Sequence, residues 1–198
     1  MKILAFTDIH GSFRAFQSIE KLVKKENPDL LIDCGDISIF ENELEYLVGR
    51  IAKLGKPCLI IHGNHEGSLR FGEACKQYKN MIFLHNKVHR IGNYVFFGWG
   101  GGGFSLTDKD FDLAAKKNMK NIKKGDKLVL FTHAPPYGTR TDEMYGEHAG
   151  NKSILRFIEK HKPVIALCGH LHENNGTSDK IGKTRVINPG PDGQIIVI

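Results

Sequence analysis

Tryptophan occurs once and cysteine four times in the 198 residues. Cys34, Cys58, Cys75 and Cys168 fall singly, three of them beside or inside apolar runs, and no Cys-x-x-Cys pair exists. This excludes a zinc ribbon or a thioredoxin-type motif. The thiols are expected as small buried hydrophobes in a reducing compartment, the cytoplasm by default. No apolar run approaches the ~18 to 20 residues a membrane helix requires, so no membrane association is expected. The apolar start Ile3-Leu4-Ala5-Phe6 has a strand's length and no small-residue cleavage site, so a signal peptide is not expected. Internal repeats, low-complexity tracts and Pro/Ser-rich linkers are missing too, and residues 1–198 read as a single domain.

The excess of one sign of charge is also small. Against 22 Asp and Glu stand 28 Lys and Arg, a net charge of +6. That excess aids solubility and can steer anions, but does not establish nucleic-acid binding. It is densest over Lys116–Lys127 (KKNMKNIKKGDK), where no aromatics interleave. Such a run reads as a solvated helix face, with a phosphate-attracting surface as the alternative.

What the chain does have is one unit repeated in kind. Ile3 to Phe6, Leu30 to Ile32, Cys58 to Ile61, Leu128 to Phe131 and Val164 to Leu167 are short apolar runs without alternation. They read as strands buried on both faces. Helical spacing lies between them: Ser12 caps a helix over Phe13–Glu26, and further helices are expected over Glu41–Leu54, Asp108–Ile122 and Lys152–Lys160. Alternation of strand and helix implies an α/β fold with a largely parallel sheet. Ile82–Leu84, Tyr94–Phe97, Thr184–Ile187 and Ile195–Ile198, set between short Gly and Asn turns, are expected in a second, more antiparallel sheet.

Each of the five buried runs stops abruptly at Asp, Asn or His. Ligands of open α/β sheets bind outside the carboxyl ends of the strands. Carboxylate and imidazole without thiolate suit Mn²⁺, Fe or Zn²⁺ in an open catalytic site. Asp8, His10, Asp36, Asn64, His133, His170 and His172 are too many for one catalytic ion and suit two that share a carboxylate. Two such ions clamp the attacking and leaving oxygens of a phosphoryl displacement.

Asp8-x-His10, Gly35-Asp36, Gly63-Asn64-His65-Glu66, His133 and Gly169-His170-x-His172 resemble, in order, the five motifs of the calcineurin-like metallophosphoesterases. The resemblance implies a four-layer α/β/β/α sandwich of two mixed sheets flanked by helices. It also implies one ion on Asp8, His10, Asp36 and His172 and a second on Asp36, Asn64, His133 and His170, with Asp36 bridging. Manganese is the expected metal, with Fe, Zn, Ni or Co as alternatives. His65 corresponds to the family's non-ligand histidine beside the scissile phosphate, placed to protonate the departing alkoxide. Metal-bridging hydroxide would attack in line. The Asp-Arg-Gly element of the superfamily's phosphoprotein phosphatases is missing after Gly35-Asp36, which speaks against a protein substrate.

A phosphodiesterase acting on small phosphate esters or nucleotides is therefore expected. A nuclease, with nucleic acid as partner, and a phosphomonoesterase are the alternatives. A non-catalytic scaffold is disfavoured because His65 and all seven ligand positions are intact. The loop leaving His133 offers Tyr137, Arg140 and His148 as substrate contacts. Gly98 to Gly103 satisfies Gly-x-Gly-x-x-Gly but lacks the dinucleotide context, and reads as a close backbone approach or a rim of the active site. His62 is expected in the core or behind the site, and Asn188-Pro189-Gly190-Pro191 resembles the family's closing turn.

Overall fold

The structure, a computed structural model, describes residues 1–198, with the backbone alone described at Asn121. Its first half alternates: β1 (Lys2–Phe6), α1 (Phe13–Glu26), β2 (Leu30–Asp33), α2 (Leu44–Ala52), β3 (Cys58–Ile60), α3 (Ser68–Lys76) and β4 (Met81–Phe83). Then come β5 (Lys87–Ile91), β6 (Tyr94–Trp99), α4 (Lys109–Asn118), β7 (Lys127–Thr132) and a small hairpin of β8 (Glu143–Met144) and β9 (Glu147–His148). The chain closes with α5 (Lys152–His161), β10 (Ile165–Leu167), β11 (Ser178–Ile181), β12 (Thr184–Ile187) and β13 (Gln194–Val197).

Local chemistry explains the helices. Ser12 Oγ accepts from the Ala15 N–H at 3.3 Å, and Phe16, Ile19 and Val23 recur on the buried face of α1. Asn27 ends that helix in the left-handed region, its N–H returning to the Val23 carbonyl. Asp108 caps α4 and Asn151 caps α5 in the same manner. Two boundaries differ from those the periodicity suggests. The helix expected over Glu41–Leu54 starts only at Leu44, because Phe40, Glu41 and Glu43 adopt positive φ. The helix expected over Asp108–Ile122 tightens into a 3-10 turn over Met119–Asn121. Helix α3 has no counterpart among the expected helices.

Two sheets of order β13–β1–β2–β3–β4 and β11–β12–β10–β7–β6–β5 pack face to face. Ile3, Ile32 and Leu59 from the first meet Phe96, Val129 and Ile165 from the second in that shared core. Helices α1 to α3 cover the outer face of the first sheet, and α4 and α5 that of the second. The expected four layers are present. The grouping of strands is not as expected: β4 is a parallel edge of the first sheet and β13 its antiparallel edge, while β12, β10, β7 and β6 run parallel in the second. Only the edge pairs β5–β6 and β11–β12, joined by turns at Gly92 and Gly182, are antiparallel there. Short turns fix hairpins; they do not fix which sheet a short strand joins.

Register positions the site. Phe6 pairs with Asp33 and Asp33 with Ile60, so β1, β2 and β3 end level. Trp99 pairs with Thr132, Phe131 with Leu167 and Leu167 with Ile187, which levels the inner strands of the second sheet. The loops carrying the candidate ligands therefore emerge side by side. Among the described residues no helix is long and apolar enough to cross a membrane. All four cysteines are buried and free.

Candidate metal centre

The strand-end loops turn so sharply that side chains larger than glycine are forced into left-handed backbone. Asp8 (φ 54°), His10 (φ 47°), Asp36 (φ 57°) and His170 (φ 74°) all lie there. Each such residue costs on the order of 1–3 kcal/mol, and it persists only where its surroundings hold it. Here neighbouring loops do so. Asp8 N–H donates to the Gly35 carbonyl at 2.9 Å and His10 N–H to the Asp36 carbonyl at 3.0 Å. His170 N–H donates to the Asp8 carboxylate, 3.0 Å from Oδ2. Glycines supply the clearance: a Cβ on Gly63 would collide with the Asp36 carboxylate, and one on Gly169 would lie 2.7 Å from Asp8 Oδ2.

Glu66 binds the first sheet's loops together. Buried, it accepts from the N–H groups of Gly63 (2.9 Å) and Asp36 (3.2 Å) on one oxygen, and from Ser38 N–H (2.8 Å) and Oγ (2.9 Å) on the other. Its carboxyl is pushed above the ordinary range by burial and by the nearby Asp36 charge. Glu66 stands within a recognisable motif, yet its role is invisible in the sequence because its partners come from three separate positions along the chain. Asn188, fully buried, does similar work behind the site, donating to the Leu171 carbonyl and accepting from Gly190 N–H.

Around this frame the seven ligand candidates converge. Asp36 Oδ2 lies 3.3 Å from His133 Nε2, 3.8 Å from His10 Nε2 and 3.9 Å from His65 Nε2. His133 Nε2 is 2.9 Å from Asn64 Oδ1, and its Nδ1 is 2.9 Å from the Cys34 carbonyl. His10 Nε2 and His172 Nε2 face each other at 3.0 Å, with Asp8 Oδ1 3.6 Å from the latter. Asp8, Asp36 and His133 form a buried floor, while Asn64 and His172 are exposed at the mouth.

These residues fit divalent cations. Donor atoms of Asp8, His10 and His172, and of Asp8, Asp36 and His133, lie within 4.8 Å of one another. His170 Nε2 is buried with no hydrogen-bond partner, an orphan in need of one. Burial and the neighbouring His133 press the His170 imidazole down to about 4, leaving it neutral as a ligand must be. His133 and Asp36 behave as an ion pair. Burial opposes both charges, yet His133 rises to about 9 through its bond to Asp36, and Asp36 falls to about 2 through His133 and the His65 N–H. A cation would take over the charge that this proton supplies. His10, Asp36 and His65 form a third group of the same compactness, so His65 also sits at coordinating range.

A family profile for calcineurin-like phosphoesterases matches residues 1–174. The chain belongs to the calcineurin-like phosphoesterase family. It is 31% identical over 207 residues to the uncharacterized protein MJ1162 of Methanocaldococcus jannaschii, covering 99% of this chain and 91% of that one. The solved structure of TT1561 of Thermus thermophilus shares the fold at a TM-score of 0.77 and 16% identity, over 96% of this chain and 88% of that one. A dimetal phosphatase from Danio rerio matches at 0.63 and 9% identity, over 94% and 86%. Membership makes this chain a hydrolase of phosphate esters with a metal-binding site.

Other sequence-marked residues of the phosphoesterase fall into two groups. Tyr137, Arg140 and His148 share a loop built around buried Asp142, which accepts from the N–H groups of Gly138, Thr139 and Gly150 and from His148 Nδ1 at 2.9 Å. Tyr137 lies beside His148 and under Lys152, and Arg140 N–H donates to Asp179. The contacts of these three run to one another and to this loop's neighbours rather than to the seven ligands. The glycine run, in contrast, lies against the centre. Gly100 packs on His62, and a Cβ on Gly103 would stand 4.0 Å from both Asn64 Cβ and His170 Cε1. His62 itself is buried, and burial holds its imidazole neutral, at about 3.

Proposed function

We propose that this phosphoesterase is a two-metal-ion phosphodiesterase. One observation carries the reading: a single buried oxygen, Asp36 Oδ2, lies within 4 Å of imidazoles from three different loops, the position a bridging ligand must hold. Asp8, His10, Asp36 and His172 would hold one ion, and Asp36, Asn64, His133 and His170 the other. Divalent ions bound there supply Lewis acidity, lowering the pKa of water toward ~7 and neutralising charge on the phosphoryl oxygens.

The chain's own residues do the rest. Backbone bonds from His65 to Asp36 (2.9 Å) and from His170 to Asp8 fix both carboxylates. His65, half-buried at the mouth, holds a proton at Nε2 for the leaving oxygen as the phosphorus–oxygen bond breaks. Tyr137, Arg140 and His148 would meet the outer end of a longer substrate. The carboxylates of the site pair with histidines, so the two ions would be the cations that meet the phosphoryl charge, and a phosphodiester is the proposed substrate. Manganese is the proposed ion.

The test removes metal with chelator and assays bis(p-nitrophenyl) phosphate beside p-nitrophenyl phosphate as Mn²⁺ returns, with elemental analysis of the protein. Two ions bound and diester turnover exceeding monoester turnover support the reading. Monoester preference overturns the substrate assignment, and absence of bound metal overturns the centre.

A further inference from the structure

Two phenylalanines stand in water on either side of the metal centre. Phe40 is 78% exposed and Phe104 63% exposed. Isolated apolar residues on a surface are ordinary, but these two are held in place. Phe40 adopts a left-handed backbone (φ 49°), which a bulky side chain rarely does. The next residue anchors it: Glu41 accepts from Gly67 N–H at 2.7 Å and pairs with Arg70 at 3.2 Å, tying the Phe40 loop to the loop of His65. Phe104 is fixed from the other sheet. Asn151 Nδ2 donates to the Ser105 carbonyl at 2.7 Å, and Lys152 N–H to the Leu106 carbonyl at 2.8 Å.

Both rings touch the centre from opposite ends. The Phe40 ring lies 4.5 Å from His65, and the Phe104 ring 4.5 Å from His170. Between them a continuous path crosses the floor, from His65 to Asp36 (3.9 Å), to His133 (3.3 Å), and on to His170 (5.2 Å between rings). Phosphate seated on that floor would direct one organic group to each ring. We propose that Phe40 and Phe104 set the substrate class by stacking on planar aromatic groups, nucleobases included, at the two ends of a phosphodiester. This rests on the phosphodiesterase reading above. Phe40, beside the proton donor His65, takes the leaving group, and Phe104 takes the group that stays on phosphorus.

Methyl p-nitrophenyl phosphate and bis(p-nitrophenyl) phosphate separate the two ends, because only the second places a ring on the retained side. Phe104→Ala is expected to raise KM for the bis-aryl substrate by roughly 10-fold, the scale of one ring stack. The methyl substrate should change by less than about twofold, well under one such stack. Phe104→Trp should restore the discrimination. Equal losses on both substrates, or loss of bound metal in Phe104→Ala, overturn the assignment. Independently of turnover, calorimetry with diphenyl and dimethyl phosphate reads binding. Wild type should prefer the diphenyl ester, and the Phe40→Ala, Phe104→Ala double variant should not. A preference retained in the double variant, or lacking in wild type, sinks the clamp; two bound ions with no diester turnover sink the phosphodiesterase reading instead.

Discussion

The two sheets contribute different chemistry to one site. The first supplies every oxygen donor, Asp8, Asp36 and Asn64, together with His10 and His65; the second supplies imidazole alone, in His133, His170 and His172. Their support differs as well. Loops of the first sheet brace one another through Glu66 and the backbone bonds from Asp8 and His10, whereas two histidines of the second lean across on the first. His133 reaches the Cys34 carbonyl, and His170 N–H the Asp8 carboxylate. The first sheet thus supplies the carboxylates of the floor, and the second closes it with imidazole, His133 charged against Asp36 and His170 neutral. Cations held between them would join the two sheets at their carboxyl ends.

The largest effect should come from breaking the floor. Asp36→Asn keeps an acceptor for the His65 N–H but removes the charge proposed for both ions. Turnover should fall to background, and bound metal from two ions to one or none by elemental analysis. Unchanged metal content would show that Asp36 does not bridge. His65→Ala comes next: a loss of roughly 10²- to 10⁴-fold in kcat with metal retained, greater for poor leaving groups. Loss of metal in this variant would move His65 into the ligand set, where its distance from His10 and Asp36 also allows it.

Removing the cations tests the joint itself. A ligand at 1,000 times its Kd stabilises by about 4 kcal/mol. For a chain of this size that is about 8–16 °C in Tm. Chelator should therefore lower Tm by that order, and an unshifted Tm would mean that the sheets hold together without metal. Glu66→Ala should act on the first sheet alone. It leaves buried N–H groups of Gly63, Asp36 and Ser38 without an acceptor, at about 1–3 kcal/mol each when not rescued by water. A drop of at least about 2 kcal/mol in denaturant unfolding is expected.

Legibility in the sequence follows the same division. Strands β1, β2, β3, β7 and β10 are readable because burial on both faces leaves unbroken apolar runs, and the ligands are readable because each run ends on one. Helix α1 carries its own cap and stripe. Helix α3 does not: Leu69 is 87% exposed, Gly72 sits mid-helix, and only Phe71, Ala74 and Cys75 are buried, so no periodicity announces it. The sheet membership of β4 and β13 is hidden because three or four apolar residues carry no address; pairing partners lie far along the chain. Glu66 is hidden for a related reason, since its role exists only once the loops after β2 and β3 have met.

The smallest expected effect separates the two ends of the second sheet. Helix α4 starts near Trp99, at the carboxyl end of β6, and runs toward the start of β7, so Lys116 and Lys120 lie at the sheet's amino end. They line a groove with Arg156, Lys160 and His161 between α4 and α5, away from the ligand loops. If the centre alone performs the chemistry, Lys116→Ala with Lys120→Ala should leave bis(p-nitrophenyl) phosphate turnover within about twofold, as surface changes remote from a site do. A nuclease using this groove would behave differently. Every phosphate that the variant no longer neutralises should reduce the slope of log affinity against log salt by about 0.9 on duplex DNA. A shallower slope in the double variant, with small-diester turnover intact, would make that basic end part of the substrate path. An unchanged slope confines recognition to the strand ends, where both sheets meet.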